Sequence, residues 1–180
     1  MFLFEIKKDL DRLETITHRF SKIGSNPELK PCDLNNIINQ TVQYLQSRTS
    51  KKVKFVVNTP DEPLMLPINN YLFEWVIENL CKNAIDAMNG SGTITIIASQ
   101  DAKHIYIDIG DTGKGIPYSI QKKIFESGYT TKQRGWGLGL SLAKRIIEEY
   151  HGGRIFLKYS IIGQGSVFRI ELHHAETNTK

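Results

Sequence analysis

GWGLGL at residues 135–140, followed directly by SLAKRIIEEY at residues 141–150, is the stretch that decides how this chain is interpreted. Alternating glycines permit positive φ angles and close approach of the backbone to another group. The amphipathic segment behind them predicts a helix, whose first turn carries unpaired N–H groups and the positive end of the helix dipole. Such an arrangement is suited to bind a phosphate or another anion. Taken alone, the pattern is equally typical of a tight connection.

Composition limits the possible classes of protein. The chain has 180 residues, 40% of them hydrophobic, which is enough for one domain with an additional segment. Its formal net charge is +4, and no basic cluster is interleaved with aromatic residues, so we predict no nucleic-acid partner. Cys32 and Cys81 predict free thiols in a reducing compartment. No apolar run approaches the roughly 18 residues of a membrane span, so we expect a cytoplasmic chain without membrane contact of its own.

The periodicity of apolar residues predicts both helices and strands. Helices are expected over residues 2–23, from the N-cap Asp33 through Leu45, over Tyr71–Met88 and after the glycine run. The predicted strands cover residues 54–57, 93–99, 104–109, 154–159 and 166–172. Since these elements mix without βαβ alternation, we predict an α+β fold. It would be a two-layer sandwich with helices on one face of a mainly antiparallel sheet, preceded by a long amphipathic helix.

The predicted organisation has three parts. Residues 1–25 form a dimerisation-type helix with near-heptad apolar spacing, and residues 26–52 form a linker and the first helix of the main domain. Residues 53–180 form the main domain itself. Because a lone amphipathic helix would expose its apolar seam, we expect self-association, in the simplest case as a homodimer.

The helix ENLCKNAID at residues 78–86 carries the first group of polar candidates. Asn79, Asn83 and Asp86 lie on adjoining turns of one face, opposite an apolar side. Amides on a helix that must pack are costly unless they meet a polar ligand, and an Asn oxygen is a suitable ligand for Mg²⁺. The alternative is a solvated face with a structural amide network.

Two further motifs follow the predicted strand at residues 104–109. Asp111 in DTGKG at residues 111–115 is an acceptor at the end of a strand, suited to the exocyclic amine of adenine; a plain Asp-x-Gly turn is the common alternative. Lys132 and Arg134 precede the glycine run, where their cationic groups could reach phosphates. The alternative is that they are ordinary surface charges. The chain contains neither a P-loop motif nor the G-x-G-x-x-G spacing of a dinucleotide site.

Together these motifs resemble the ATP-binding domain shared by gyrase-type ATPases, heat-shock chaperones, histidine kinases and mismatch-repair ATPases. The asparagine helix is similar to the N box of that family, residues 111–115 to its G1 box, residues 125–132 to its F box and residues 135–140 to its G2 box. They occur in the family order. The resemblance implies a Bergerat-type fold that binds ATP with Mg²⁺, and HGG at residues 151–153 is similar to the histidine kinase branch.

The resemblance also implies a role for individual residues. Asn83 would coordinate Mg²⁺ and, with Asn79, carry the catalytic function, while Asp111 would bind the adenine amine with support from Ser166. Residues 130–140 would form a flexible lid over the phosphates. The other residues expected at the nucleotide are Lys82, Asp86, Gly113, Gly115, Ile116, Tyr129, Thr130, Thr131, Lys132, Gly135, Trp136, Gly137, Leu138, Gly139 and Leu140.

One position separates the branches of this family. Relatives that hydrolyse ATP, and the related serine kinases, carry a Glu four residues before the metal-binding Asn, where this chain has Asn79. Glu78 is adjacent, but one residue turns a helix by about 100°, so we expect it to point elsewhere. Hydrolysis should then be slow, which favours transfer of the phosphoryl group to a histidine. A regulatory pseudokinase, or a serine kinase or ATPase that uses Glu78, are the alternatives.

The phosphoacceptor histidine of that family is not recognised in this chain. It stands in an H-[ED]-x-x-x-P setting on the first helix of a dimeric bundle, and His18 is followed by RFSKI instead. Residues 1–25 resemble the second helix of such a bundle. The resemblance therefore implies an acceptor helix that is separate or truncated and a response-regulator receiver domain as partner. The chain would be the cytoplasmic portion of a sensor kinase, which in a larger form is membrane-bound.

Overall fold

The computed structural model describes residues 27–132 and 137–174. The predicted helix over residues 2–23, together with Arg134, Gly135 and Trp136, lies outside the described residues. In chain order the elements are β1 (Lys30–Asp33), α1 (Leu34–Arg48), β2 (Val53–Asn58), β3 (Met65–Ile68), α2 (Asn70–Ala87), β4 (Gly92–Gln100), β5 (His104–Asp111), α3 (Tyr118–Gln121), α4 (Gly139–Arg145), β6 (Arg154–Ile161) and β7 (Gly165–His173). A π-helical turn, Ile146–Tyr150, extends α4.

The main sheet has five strands in the order β2-β4-β5-β7-β6. Only β2 and β4 are parallel, because α2 forms the crossover between them, and the other three neighbouring pairs are antiparallel. The predicted α+β sandwich with a mainly antiparallel sheet is confirmed. The sequence analysis missed the two-stranded antiparallel sheet of β1 and β3. Both strands are four residues long, and Pro31 and Pro67 obscure their pattern.

Helix α2 is the central element between the sheet and α1. Its N-cap is Asn69, whose side-chain oxygen accepts from the Leu72 N–H at 3.1 Å. The predicted cap of α1 is confirmed, since the Asp33 carboxylate accepts the backbone N–H of Asn35 at 3.0 Å. The same oxygen also accepts the Leu64 N–H at 3.2 Å and so ties the start of α1 to the loop before β3.

The core lies between the helices and one face of the sheet. Alternate residues of β4 and β5 are buried there, as period-two spacing requires, and α2 packs over them. Each buried isoleucine contributes about 1.5–3 kcal/mol relative to an exposed position. The sheet residues of this layer are Ile94, Ile96, Ala98, Ile105, Ile107 and Ile109. Cys32 and Cys81 are free thiols, and burial raises the pKa of Cys81 to about 12.

His151 fastens the end of the α4 extension to the start of α2. Its Nδ1–H donates to the Ile146 carbonyl at 2.8 Å, and its Nε2 accepts the Asn69 N–H at 3.1 Å, which fixes the neutral tautomer. Burial lowers the pKa of the ring, although the bond to Ile146 acts in the opposite direction. The ring also meets Phe73 edge to face.

Two smaller observations complete the fold. Pro117 is the N-cap of α3, and its extended ψ of 139° places it just before the helix. In the described ranges, no helix combines the length and the apolar character that crossing a membrane requires.

Candidate functional site

The polar face of α2 meets the beginning of α4. A Cβ atom on Gly139 would lie 2.4 Å from Asn79 Oδ1, so any other residue at this position would have to displace the Asn79 side chain. The Nδ2 of Asn79 is buried, and no hydrogen-bond partner for it exists among the residues that the structure describes. A buried amide donor of this kind costs free energy unless a further group accepts from it. The junction of α2 and α4 therefore presents an unused donor.

Asp111 ends β5 as a partly desolvated acceptor. Its carboxylate accepts the backbone N–H of Gly113 at 2.7 Å and that of Ser166 from the neighbouring strand β7. Burial nevertheless raises the pKa of Asp111 above its usual range, because desolvation outweighs these two hydrogen bonds. The carboxylate has room for further donors, since each of its oxygens has two lone pairs.

The loop after Asp111 is held against the C-terminal end of α2. The Lys114 N–H donates to the Ala87 carbonyl at 3.0 Å. A Cβ atom on Gly113 would lie 2.7 Å from the carbon and oxygen of that same carbonyl. The loop thus approaches α2 so closely that glycine is required, and Asp111 comes near the helix that carries Asn79 and Asn83.

The hairpin of β6 and β7 holds the same loop from the other side. The Ser160 hydroxyl accepts the Ile116 N–H at 2.7 Å and lies 2.9 Å from the hydroxyl of Ser166, which is buried. A Cβ atom on Gly115 would lie 2.3 Å from the Ile161 carbonyl oxygen, and φ at this glycine is +72°. Ser166 therefore supports Asp111 through its backbone, while its hydroxyl is directed to Ser160.

Gly137, which lies within the predicted lid of residues 130–140, is hydrogen-bonded to Gly128. The Gly128 N–H donates to the Gly137 carbonyl at 3.0 Å. A Cβ atom on Gly137, where φ is +65°, would lie 2.4 Å from the Gly128 carbonyl carbon. Before this junction, Phe125 packs edge-on against Phe168 of β7 with ring centroids 6.1 Å apart. Gly128 and Gly137 are thus held against each other by this close backbone contact.

Lys132 reaches from that segment to the polar face of α2. Its Nζ lies 2.8 Å from Asn83 Oδ1 and 2.6 Å from Asp86 Oδ2. Its backbone N–H donates to the Thr130 hydroxyl at 3.1 Å. A cation therefore stands at the side-chain oxygen that the sequence analysis assigned to a metal.

Lys82, another residue predicted at the nucleotide, faces α1 rather than α4. Its Nζ pairs with Glu78 at 2.5 Å, and both side chains line a groove of about 410 Å³ between α1 and α2, beside Tyr44 and Arg48. The expectation that Glu78 points away from the face of Asn79 is confirmed. The predicted contact of Lys82 with a nucleotide stays a prediction.

Sequence reasoning missed two residues that shape the site. Ser160 joins the loop to β7, as described above, and nothing around it in the sequence marks a functional position. Gly165 has a φ of +112°, and a Cβ atom there would lie 1.8 Å from the Asp111 carbonyl oxygen. The sequence Gly163-Gln164-Gly165 is typical of a turn, and its second glycine was the available signal.

A family model described as histidine kinase-, DNA gyrase B- and HSP90-like ATPase matches residues 70–176. Among curated proteins, the alginate biosynthesis sensor protein KinB of Pseudomonas aeruginosa is 36% identical over 78% of this chain and 24% of its own length. Sensor histidine kinase ZraS of Escherichia coli strain K12 is 32% identical over 92% of this chain and 36% of its own length. The chain thus spans about a quarter to a third of these curated relatives.

Solved structures of the histidine kinase ThkA have the same fold. Its catalytic domain in a nucleotide-free form superposes with a TM-score of 0.73 at 31% identity, covering 81% of this chain and 95% of that one. ThkA in complex with the response regulator protein TrrA gives a TM-score of 0.76 at 28% identity, covering 94% of this chain and 49% of that one.

Proposed function

Because the chain belongs to the histidine kinase-, DNA gyrase B- and HSP90-like ATPase family, we propose that it is the ATP-binding catalytic domain of a sensor histidine kinase. In this proposal it transfers the γ-phosphoryl group of Mg-ATP to a histidine on a separate helix. The observation that carries the proposal is the convergence of three elements. The polar face of α2, the Asp111 loop and the first turn of α4 meet where a nucleotide would contact all of them.

The Asp111 loop has the properties of a base-recognition site. An acceptor held by two backbone N–H groups, of Gly113 and Ser166, cannot rotate freely, and it would select the amine of adenine over the carbonyl of guanine. Gly113 and Gly115 pack against the backbone of Ala87 and Ile161, which holds the loop and its carboxylate in place. These contacts support the assignment of Asp111, Gly113, Gly115 and Ile116 to the adenine end of ATP.

The residues on α2 fit Mg²⁺ and a triphosphate. The Asn83 Oδ1 is a hard oxygen ligand that already accepts from one cation, the ammonium of Lys132. The unpaired Nδ2 of Asn79 is a donor for a phosphate oxygen. When bound, Mg²⁺ would neutralise charge on the phosphates, and we assign it to Asn83. The role of this chain is then to bind and orient the nucleotide beneath the predicted lid of residues 130–140.

The position of Glu78 supports phosphotransfer over hydrolysis. Asn79 cannot act as a general base, and Glu78 is engaged with Lys82 in the groove beside α1. A water molecule at the γ-phosphate would therefore lack a base, which disfavours the alternatives of an autonomous ATPase or a serine kinase. His151 is an unsuitable acceptor, because both of its ring nitrogens are engaged. An acceptor histidine on a separate helix agrees with both observations.

The expected partners follow from the relatives. ThkA has been solved with a response regulator, which supports a receiver domain as the protein that takes the phosphoryl group onward. Homodimerisation through residues 1–25 belongs to the same proposal, as does a cytoplasmic position within a longer, membrane-bound sensor.

A phosphotransfer assay tests the proposal. The chain is mixed with Mg-ATP labelled at the γ-phosphate and with the purified phosphoacceptor bundle of a related sensor histidine kinase. We expect an acid-labile, base-stable phosphate on the bundle, and none when Asp111→Asn replaces the wild-type chain. Binding of Mg-ATP in calorimetry without any transfer would favour the regulatory pseudokinase instead.

A further inference from the structure

A β-bulge precedes Ser160 in the edge strand β6. The pairing of β6 with β7 changes its register between Leu157 and Tyr159, so Lys158 is the additional residue of the bulge. Successive side chains of a strand point to opposite faces of the sheet. One additional residue therefore decides which face every later side chain occupies.

The bulge brings Ser160 to the face of the sheet that the helices cover. After the bulge, Ser160 pairs with the buried Ser166, whereas Tyr159 pairs with Val167 and is 54% exposed on the opposite face. In the register that precedes the bulge, Tyr159 would lie opposite Ser166 instead. The additional residue thus places a small hydroxyl side chain beside Ser166, where an aromatic ring would otherwise stand.

The Ser160 hydroxyl connects three segments of backbone. It accepts the Ile116 N–H at 2.7 Å, donates to the Gly165 carbonyl at 3.2 Å and lies 2.9 Å from the Ser166 hydroxyl. When the Ser166 hydroxyl donates, these contacts use the single donor and both lone pairs of Ser160. Ser160 is therefore a junction between the Asp111 loop and the β6–β7 hairpin.

The same partners surround Asp111. The Ser166 N–H donates to the Asp111 carboxylate, and a Cβ atom on Gly165 would lie 1.8 Å from the Asp111 carbonyl oxygen. Ile116 is the last residue of the loop that begins at Asp111. Through these three partners, Ser160 holds both ends of the loop against the strand that supports the carboxylate.

We propose that Ser160 is a positioning residue for base recognition, because its hydroxyl fixes the direction of the Asp111 carboxylate and so sets the preference for a base with an exocyclic amine. This inference rests on the proposed function and names a residue that gives its base site specificity. Without the hydroxyl, the Ile116 N–H and the Ser166 hydroxyl each lose a partner. A carboxylate that can turn selects an amine less well, since hydrogen bonds weaken steeply when donor and acceptor are misaligned.

The variant Ser160→Ala should fold. The Gly163 N–H still donates to the Lys114 carbonyl at 2.9 Å, and the Lys114 N–H still donates to the Ala87 carbonyl at 3.0 Å. The loop thus stays in its place on the domain, while the fine position of its carboxylate is released.

Binding of two nucleotides to the full chain tests the proposal. ATP has an amine at C6 of its base, and the triphosphate of purine riboside lacks that amine. In calorimetry with Mg²⁺, we expect Ser160→Ala to raise the Kd of ATP about three- to tenfold. The Kd of purine riboside triphosphate should stay within about twofold of wild type, because this nucleotide offers no amine to Asp111.

A double-mutant cycle shows whether Ser160 acts through Asp111. In the Asp111→Asn background, Ser160→Ala should change the Kd of ATP less than about twofold, since the carboxylate that Ser160 orients is gone. A merely structural role would raise the Kd by the same factor in both backgrounds and for both nucleotides.

Thr41→Val is the matched control for the loss of a hydroxyl. The Thr41 hydroxyl is buried and donates to the Ile37 carbonyl within α1 at 2.8 Å, outside the loop and the hairpin. We expect the ratio of the two Kd values to stay at the wild-type value in this variant.

Two results would overturn the inference. They are an unchanged ratio of the two Kd values in Ser160→Ala and an equal penalty in the wild-type and Asp111→Asn backgrounds. If the wild-type chain prefers ATP and Asp111→Asn removes that preference while either result is found, the proposed function stands without this role for Ser160. If the wild-type chain binds neither nucleotide, the proposed function fails together with the inference.

Discussion

The loop at residues 111–116 and the segment at residues 129–132 face the same site but are held in different ways. The loop is fixed on both sides: the Lys114 N–H donates to the Ala87 carbonyl, the Ile116 N–H donates to the Ser160 hydroxyl, and Gly113 and Gly115 leave no room for a side chain. The segment is joined at Gly128 and reaches α2 through the side chain of Lys132. The loop is thus held from two sides of the domain, whereas the contact of residues 129–132 with α2 depends on one exposed side chain.

The largest effect is expected where the rigid loop cannot accept a side chain. Gly165→Ala would push a Cβ atom to 1.8 Å from the Asp111 carbonyl oxygen at a φ of +112°. We expect a loss of about 3 kcal/mol or more in the free energy of unfolding, measured by urea denaturation.

Gly163→Ala is the matched control for this variant. Gly163 lies two residues earlier in the same turn at a φ of +76°, and no atom lies within 4 Å of the added Cβ. Only the backbone cost of about 1–2 kcal/mol should then remain. Equal losses in the two variants would show that close approach to Asp111 does not matter.

Removal of the charge on Asp111 should weaken nucleotide binding strongly. A hydrogen bond to a charged group is worth about 1.5–3 kcal/mol, so Asp111→Asn should lower the affinity for ATP about 10- to 100-fold in calorimetry. Asp108→Asn is the control on the same strand. Asp108 pairs with Arg169 at 2.6 Å and 2.7 Å and with Lys158, and its loss should leave ATP affinity unchanged.

Acid should weaken the link between α4 and α2 through His151. Burial lowers the pKa of this ring in the folded domain, so the unfolded chain binds more protons below the usual value near 6.5. The contribution of His151 is complete above that value and is lost as pH falls through the lower folded pKa. His151→Phe should flatten the dependence of stability on pH in this window, while His173→Gln, an exposed control, should not.

The smallest effect is expected at Glu78. It pairs with Lys82 at the groove beside α1 rather than facing Asn79. Glu78→Gln should therefore leave the slow release of phosphate from ATP unchanged within about twofold. A serine kinase or ATPase that uses Glu78 as its base would instead lose most of its turnover.

Local patterns were sufficient for most of the fold. The alternating isoleucines of β4 and β5 and the cap at Asp33 were predicted because their signals lie within a few residues. The sheet of β1 and β3 was not, since four-residue strands that contain prolines carry too little pattern.

At the candidate site, contacts between segments that are distant in sequence could not be predicted from local patterns. The face of α2 and the position of Asp111 could be predicted from spacing. The pairing of Lys132 with Asn83, 49 residues away, and the bond between Ile116 and Ser160, 44 residues away, depend on the tertiary fold. Lys82 pairs with Glu78, one turn away on the same helix, and its contact with a nucleotide stays a prediction.

The fate of the γ-phosphoryl group tests the central claim most directly. One sample contains the chain, the acceptor bundle and labelled Mg-ATP, and a second sample lacks the bundle. Phosphohistidine on the bundle and free phosphate are measured in both over the same time course. The account predicts that phosphohistidine appears first and that free phosphate without the bundle accumulates much more slowly. Release of phosphate at an equal rate with and without the bundle, and no acid-labile product, would contradict it.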